Sequence, residues 1–227
     1  MSEPTAFGSP FPCVEADAAD LLTGRGTPLV VCANEPPWST VRTAFAGAEL
    51  LAEITAGDMD LTHLAAIVDQ LVASTAPERL ASATVVGLGG GTALDTAKYV
   101  AWRTGRPLVQ VPSITSVDAG FTDAIGVRDR GIVRYIGTVV PEVVVLDLPL
   151  ITSAPAHLNR AGVGDVLSCH TGLFDWRLAS DRGFGHPWHD GLAALGTTLL
   201  DELEQAADDI AAASDDGVRF LADAYRR

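Results

Sequence analysis

The chain has 227 residues, 48% of them hydrophobic, and carries a formal net charge of −14 at pH 7. That length and apolar content support a globular core and exclude a disordered chain. The acidic balance argues against partners that present a phosphate backbone or an anionic lipid surface, so no nucleic-acid or membrane partner is expected.

Three scattered cysteines, Cys13, Cys32 and Cys169, lack metal-type spacing and suit a reducing cytoplasm. The opening Met-Ser-Glu-Pro-Thr has neither the basic nor the apolar region of a secretory signal. No apolar run is long enough to span a bilayer, and a cytoplasmic location is expected.

In chain order, residues 1–27 read as a loosely ordered lead-in with a short helix near Ala16–Leu22. Pro28–Ala33 is a short apolar run closed by Asn34-Glu35-Pro36-Pro37, the pattern of a buried strand. Trp38–Ala46 reads as a helix, and periodicity leaves Glu49–Thr55 open between strand and helix end. Asp60–Ser74 carries a helical stripe of Leu61, Leu64, Ile67, Val68 and Leu71, with Asp60 and Thr62 able to cap it.

Residues 84–103 form a strand, a glycine turn and a helix. Two β-branched residues lead into Gly87-Leu88-Gly89-Gly90-Gly91, and Thr92 offers an N-cap hydroxyl ahead of Ala93, Leu94, Ala97, Val100 and Ala101. Such a turn aims backbone N–H groups and the helix dipole at an anion. It reads either as a cradle for a dinucleotide pyrophosphate or as a tight β–α turn, since it matches neither G-x-G-x-x-G nor the P-loop.

Pro107–Val111 is the next strand, Ile125–Ile136 a β-hairpin turning at Asp129-Arg130-Gly131, and Val139–Leu146 a buried strand. Strands alternating with helices predict a parallel-rich α/β layer. After Pro155 the strands stop, and 156–180, 189–213 and 215–227 read as helices. The expected division is a lead-in at 1–27, an α/β Rossmann-like nucleotide-binding domain at 28–152 and an all-α domain at 153–227, with the boundary near Thr152–Pro155.

Two further stretches carry chemistry. Ser113, Thr115, Ser116, Asp118 and Thr122 cluster in the loop after a strand end, where open α/β sheets bind ligands; the alternative is a polar loop capping itself. Gly162-Val163-Gly164-Asp165 opens an apolar helix, where Asp165 is either an N-cap or a carboxylate available to a divalent metal.

Taken in order, GGGTALDTAKY, VPSITSVDAGFT, PEVVVLDLPLITSAP and AGVGDVLSCHTGLFDWRLA resemble the glycerol-1-phosphate dehydrogenase branch of the iron-containing alcohol dehydrogenase and dehydroquinate synthase superfamily, over roughly residues 28–225. The resemblance implies that Gly89, Gly90, Gly91, Thr92 and Ala93 bind the pyrophosphate of NAD or NADP. It places Ser113, Ser116 and Thr122 beside the cofactor. Glu35 matches the acid that holds the adenosine ribose, with Asn34 as its rival, and a carboxylate there favours NAD. Asp118 and Asp165 match substrate-contacting carboxylates, and Asp165 also matches the first ligand of a catalytic metal (zinc, nickel or iron).

The implied reaction is reduction of dihydroxyacetone phosphate to sn-glycerol 1-phosphate, a step of phospholipid metabolism. The partners implied are a small phosphorylated polyol or ketone, and a homo-oligomer or complementing chain. The family completes its metal site with two histidines beyond the helix that Tyr225-Arg226-Arg227 matches, and both are expected to be missing. His170, His186 and His189 are not expected to replace them, and His63 and His157 read as surface or capping residues. The functional expectations compete: a dehydrogenase of this type with little or no activity in these 227 residues alone, a nucleotide-binding pseudoenzyme or partner subunit, or a family member acting on another alcohol or sugar phosphate. Either way the helical region is expected to leave Leu192, Leu195, Leu199 and Leu203 poorly covered.

Overall fold

The structure, a computed structural model, describes residues 12–227. The opening Met-Ser-Glu-Pro-Thr, read above for targeting, lies outside the described residues. The elements run β1 (Cys13–Glu15), α1 (Ala18–Gly24), β2 (Leu29–Ala33), α2 (Pro37–Val41), β3 (Leu50–Thr55), α3 (Leu61–Ser74) and α4 (Pro77–Ala81). Then come β4 (Thr84–Gly89), α5 (Gly91–Thr104), β5 (Leu108–Pro112), the hairpin β6 (Ala124–Asp129) and β7 (Ile132–Thr138), and β8 (Val143–Leu146). The remainder is helical: α6 (Leu148–Ser153), α7 (Ala156–Ala161), α8 (Val163–Asp181), α9 (Asp190–Gln205), α10 (Ala207–Ala212) and α11 (Asp215–Arg226).

Six strands form one parallel sheet in the order β1-β8-β5-β4-β2-β3. Its strands are near-continuous apolar runs because both faces are covered. Alternate residues divide between two cores. Leu29, Val31, Val86, Leu88, Val109 and Val111 pack on one face with Leu22, Trp38 and Phe45. Val30, Cys32, Val85 and Leu108 pack on the other with α3, α5 and the hairpin.

The chain leaves β2 toward β3 in one direction and leaves β4 toward β5 in the other. The crevice at the carboxyl ends of β2 and β4 is therefore the topological switch point of the sheet.

Several local expectations need correcting. Residues 12–27 are not loose, because Cys13–Glu15 pairs with Val144–Leu146 as an edge strand and Asp17 caps α1. Glu49–Thr55 resolves as strand β3, held against β2. The helix read at Trp38–Ala46 is α2 followed by a 3-10 turn over Arg42–Gly47. The strand read from Val139 begins at Val143, where pairing with β5 starts. The helix read over 156–180 breaks at Gly162, where a Cβ would strike the Thr115 carbonyl and the Tyr225 hydroxyl.

The helices also join the sheet. Val218 and Ala222 of α11 pack with Val144, Leu146 and Phe121, so the last helix sits against the end of the β-layer. A second helical core gathers Val166, Leu199, Leu203, Ile210 and Leu221. Leu199 and Leu203 are thus buried, against expectation, in a core with Val166 of α8, Ile210 of α10 and Leu221 of α11. Leu192 remains exposed, as expected, and a larger exposed apolar face lies on α8, where Phe174 is 69% exposed.

Candidate nucleotide-binding cleft

The glycine turn opens directly into the switch-point crevice. β4 ends at Gly89, α5 begins at Gly91, and Gly90 is the N-cap, with extended backbone and no side-chain cap bond. Thr92 is therefore inside the first turn and is not the cap expected from the sequence. A glycine cap keeps side-chain oxygens out of the helix N-terminus, where backbone N–H groups face outward. Gly89 has φ +146°, which other residues rarely adopt, and a Cβ there would meet Asn34 Oδ1 and the Ala93 methyl. Instead Asn34 Oδ1 accepts the Gly90 N–H at 3.0 Å, and the Ser113 N–H donates to the Gly89 carbonyl at 2.9 Å.

A cavity of about 550 Å³ lies over this turn. Asn34, Glu35, Gly90, Gly91, Thr92, Ser113 and Ser116 line it, with Ile114, Val117, Leu150 and Leu158 as apolar walls. The Ser113 hydroxyl is buried without a hydrogen-bond partner among the described residues. A buried polar atom without a partner is costly, so this one suits a ligand that completes it. The glycines, the uncapped helix start and the unpartnered hydroxyl together fit a dinucleotide pyrophosphate. Glu35 lies on the rim, its Oε2 accepting the Ser39 N–H at 3.1 Å and the Ser39 hydroxyl at 2.6 Å.

Thr122 is placed apart from this group. Its hydroxyl accepts from Lys98 Nζ at 3.1 Å, on the far side of the Asp118–Phe121 turn. Lys98 is fully buried, also donates to the Ala124 carbonyl at 3.0 Å and pairs with Asp95 at 3.1 Å. Sequence reasoning passed over Lys98, although a lysine among Leu94, Ala97 and Ala101 on a helix's inner face was the available signal.

Asp118 and Asp165 do meet. The Asp118 N–H donates to Asp165 Oδ2 at 3.0 Å, linking the hydroxyl-rich loop to the first turn of α8. Asp165 is thus not an N-cap; Gly162 is. Partial desolvation, and then the Asp165 charge, push the Asp118 carboxyl above its ordinary value, while Lys98 pulls it down. The two aspartates share a second cavity, about 490 Å³, with Cys169, Leu173, Leu192 and Tyr225. Val117 lines the first cavity and Asp118 the second, so the two are joined through one loop. Asn159, another residue without a sequence signal, holds that loop: its Oδ1 accepts the Thr115 N–H at 3.0 Å and its Nδ2 donates to the Ile151 carbonyl at 2.8 Å.

The histidines do not join the pair. His170 lines a separate apolar groove with Val163, Leu167 and Leu203. His186 gives its carbonyl to Trp176 Nε1, and His189 caps α9 by accepting the Leu192 N–H. Among the described residues no group of three or more His, Cys, Asp or Glu side chains could hold a metal. Asp118 and Asp165 do not by themselves form a complete metal site among the described residues.

Residues 21–155, more than half the chain, match the iron-containing alcohol dehydrogenase family. The chain belongs to that family. It is 44% identical over 98 residues to the glycerol-1-phosphate dehydrogenase of Hyperthermus butylicus, covering 42% of this chain and 27% of that protein. It is 34% identical over 153 residues to the enzyme of the same name from Thermofilum pendens, covering 67% and 44%. Among solved structures, an iron-containing alcohol dehydrogenase from Corynebacterium glutamicum superposes with a TM-score of 0.73 at 18% identity, over 98% of this chain and 64% of that one. The likeness shows the fold: a Rossmann-like α/β layer followed by helices. The match thus spans less than half the length of these curated relatives. Among the described residues, no helix is long and apolar enough to cross a membrane.

Proposed function

We propose that this chain carries the nucleotide half of an NAD(P)-dependent dehydrogenase of the glycerol-1-phosphate type, acting between dihydroxyacetone phosphate and sn-glycerol 1-phosphate. The buried, unpartnered hydroxyl of Ser113, a residue lining the cavity over the glycine turn, is the observation that carries the reading. Gly89, Gly90, Gly91, Thr92 and Ala93 seat the pyrophosphate, Ser113 and Ser116 donate to the cofactor, and Glu35 holds the adenosine ribose. Thr122 supports the loop from behind. Asp118 and Asp165 face a small phosphorylated polyol or ketone and orient its hydroxyls. The bound nicotinamide supplies or accepts hydride, and the chain's part is orientation and electrostatics.

NADH fluorescence titration of the full chain tests this. Enhancement is expected in the wild type and its loss in Gly90→Asp, which puts a carboxylate where the pyrophosphate would lie. No enhancement, or wild-type behaviour from Gly90→Asp, overturns the reading.

A second reading takes the chain as a nucleotide-binding pseudoenzyme or partner subunit. It expects NADH binding without turnover. Zinc-, nickel- or iron-dependent reduction of dihydroxyacetone phosphate by the 227 residues alone would exclude it.

A further inference from the structure

β2 is the strand beside the glycine-bearing β4, and in dinucleotide folds an acid near the end of such a neighbouring strand meets the adenosine ribose. Glu35 follows β2 and lines two cavities at once: the main cleft, and a smaller one of about 180 Å³ over the ends of β2 and β3. The smaller cavity is also walled by Trp38, Arg42 and Glu53. Among the described residues, Arg42 is the one cationic side chain lining either cavity.

That cation is already engaged. Arg42 Nε donates to Glu53 Oε2 at 2.8 Å and Nη2 to Oε1 at 2.7 Å, a two-point pair; Trp38 Nε1 adds a bond to Oε2 at 2.9 Å. These donors hold the Glu53 carboxyl below its ordinary value, and Glu53 raises the guanidinium in return. Both side chains are more than a third exposed, at 55% and 36%, so the pair adds little to folding stability. Its consequence lies in what the guanidinium can reach. A guanidinium fork matches a phosphate as well as it matches a carboxylate.

We propose that Glu53 is a specificity-determining residue: by holding Arg42 in a bidentate pair beside Glu35, it withholds the cation that a 2′-phosphate requires and makes the cleft select NAD(H) over NADP(H). The inference rests on the nucleotide reading of the cleft. A 2′-phosphate entering beside Glu35 meets a carboxylate, and relief requires Arg42 to leave Glu53. Removing the Glu53 charge lifts the restraint and frees Arg42 to reach the phosphate, while Glu35 stays charged.

Titration of the 227-residue chain with NADH and with NADPH tests this, in the wild type, Glu53→Gln, Arg42→Gln and the double variant. The wild type is expected to bind NADH about tenfold more tightly than NADPH. Glu53→Gln is expected to close most of that gap by tightening NADPH, with NADH within about twofold of wild type. Arg42→Gln alone is expected to leave NADPH affinity unchanged, because the guanidinium is already withheld, and the double variant to lack the gain.

An unchanged NADPH/NADH ratio in Glu53→Gln, with NADH still bound, overturns the inference and leaves the nucleotide reading standing. The same gain in the double variant overturns it too, as does a loss of NADPH affinity in Arg42→Gln. Absence of NADH and NADPH binding in every form overturns both.

Discussion

Asn34 Oδ1 accepts the Gly90 N–H at 3.0 Å, so a side chain from the end of β2 closes the glycine turn at the end of β4. The two residues meet where the strand order reverses. Asn34→Ala leaves the Gly90 N–H without that partner and frees the turn. NADH affinity is expected to fall about fivefold, the effect of one hydrogen bond. Calorimetric titration measures it, and an affinity equal to wild type would show that the turn holds its shape without Asn34.

Lys98 sets up a pH-dependent stability. Burial pushes the Asp95 carboxyl above its ordinary value, while the Lys98 ammonium and a bond from the Gly126 N–H pull it back. A carboxyl raised in the folded state favours folding while protonated; that contribution is lost as pH rises through the folded value. Lys98→Met removes the counter-charge, so the carboxyl rises further and its ionisation opposes folding more strongly. A loss of about 3 kcal/mol is expected at pH 7.5, shrinking toward pH 5. Urea denaturation at both pH values reads it, and equal losses would assign Lys98 to packing alone.

Tyr225 ties the last helix to the site. Its hydroxyl donates to the Thr115 carbonyl at 2.7 Å, with the Gly162 carbonyl at 3.1 Å, and its ring lies 5.7 Å from that of Phe121. Burial raises the phenol well above its ordinary value, so it remains a donor across the working pH range. Tyr225→Phe keeps the ring and deletes the bond, and a cost of about 1 kcal/mol is expected. A melting temperature unchanged within error would count against this role.

Leu167, Phe174 and Leu178 form an exposed stripe along α8, at 51%, 69% and 40% exposure. An apolar surface of this kind binds hydrophobic dyes and lowers solubility. Phe174→Ser combined with Leu178→Ser is expected to reduce dye fluorescence at least about twofold and to raise solubility, leaving NADH affinity unchanged. Dye titration beside NADH titration separates the two, and unchanged dye binding would place the exposed apolar surface elsewhere.

The sheet was legible in the sequence because parallel strands buried on both faces announce themselves as unbroken apolar runs, as at Leu29–Ala33 and Val143–Leu146. β1 escaped because three residues, Cys13–Glu15, carry no periodicity and owe their extended form to pairing with β8. Thr92 was misplaced as a cap because propensity favours a hydroxyl, whereas the turn geometry assigns the cap to Gly90. In the site, the glycine loop and the Ser113–Asp118 loop were readable as motifs. The ties around them, from Asn34, Asn159 and Lys98, span 24 to 56 residues and leave no local trace.

The outermost strand has a consequence for how the chain is made. Cys13–Glu15 leaves the ribosome well before its hydrogen-bonding partner, Val144–Leu146, and the Ala18 N–H is satisfied by Asp147 from the same late segment. The strands from β2 to β5 can pair as they emerge, but the edge cannot close until the end of β8 is outside the exit tunnel. Cys13–Glu15, synthesised long before its partner, is therefore ordered late, and a nascent chain stalled before Val143 would present an open β5 edge to whatever chaperone attends it.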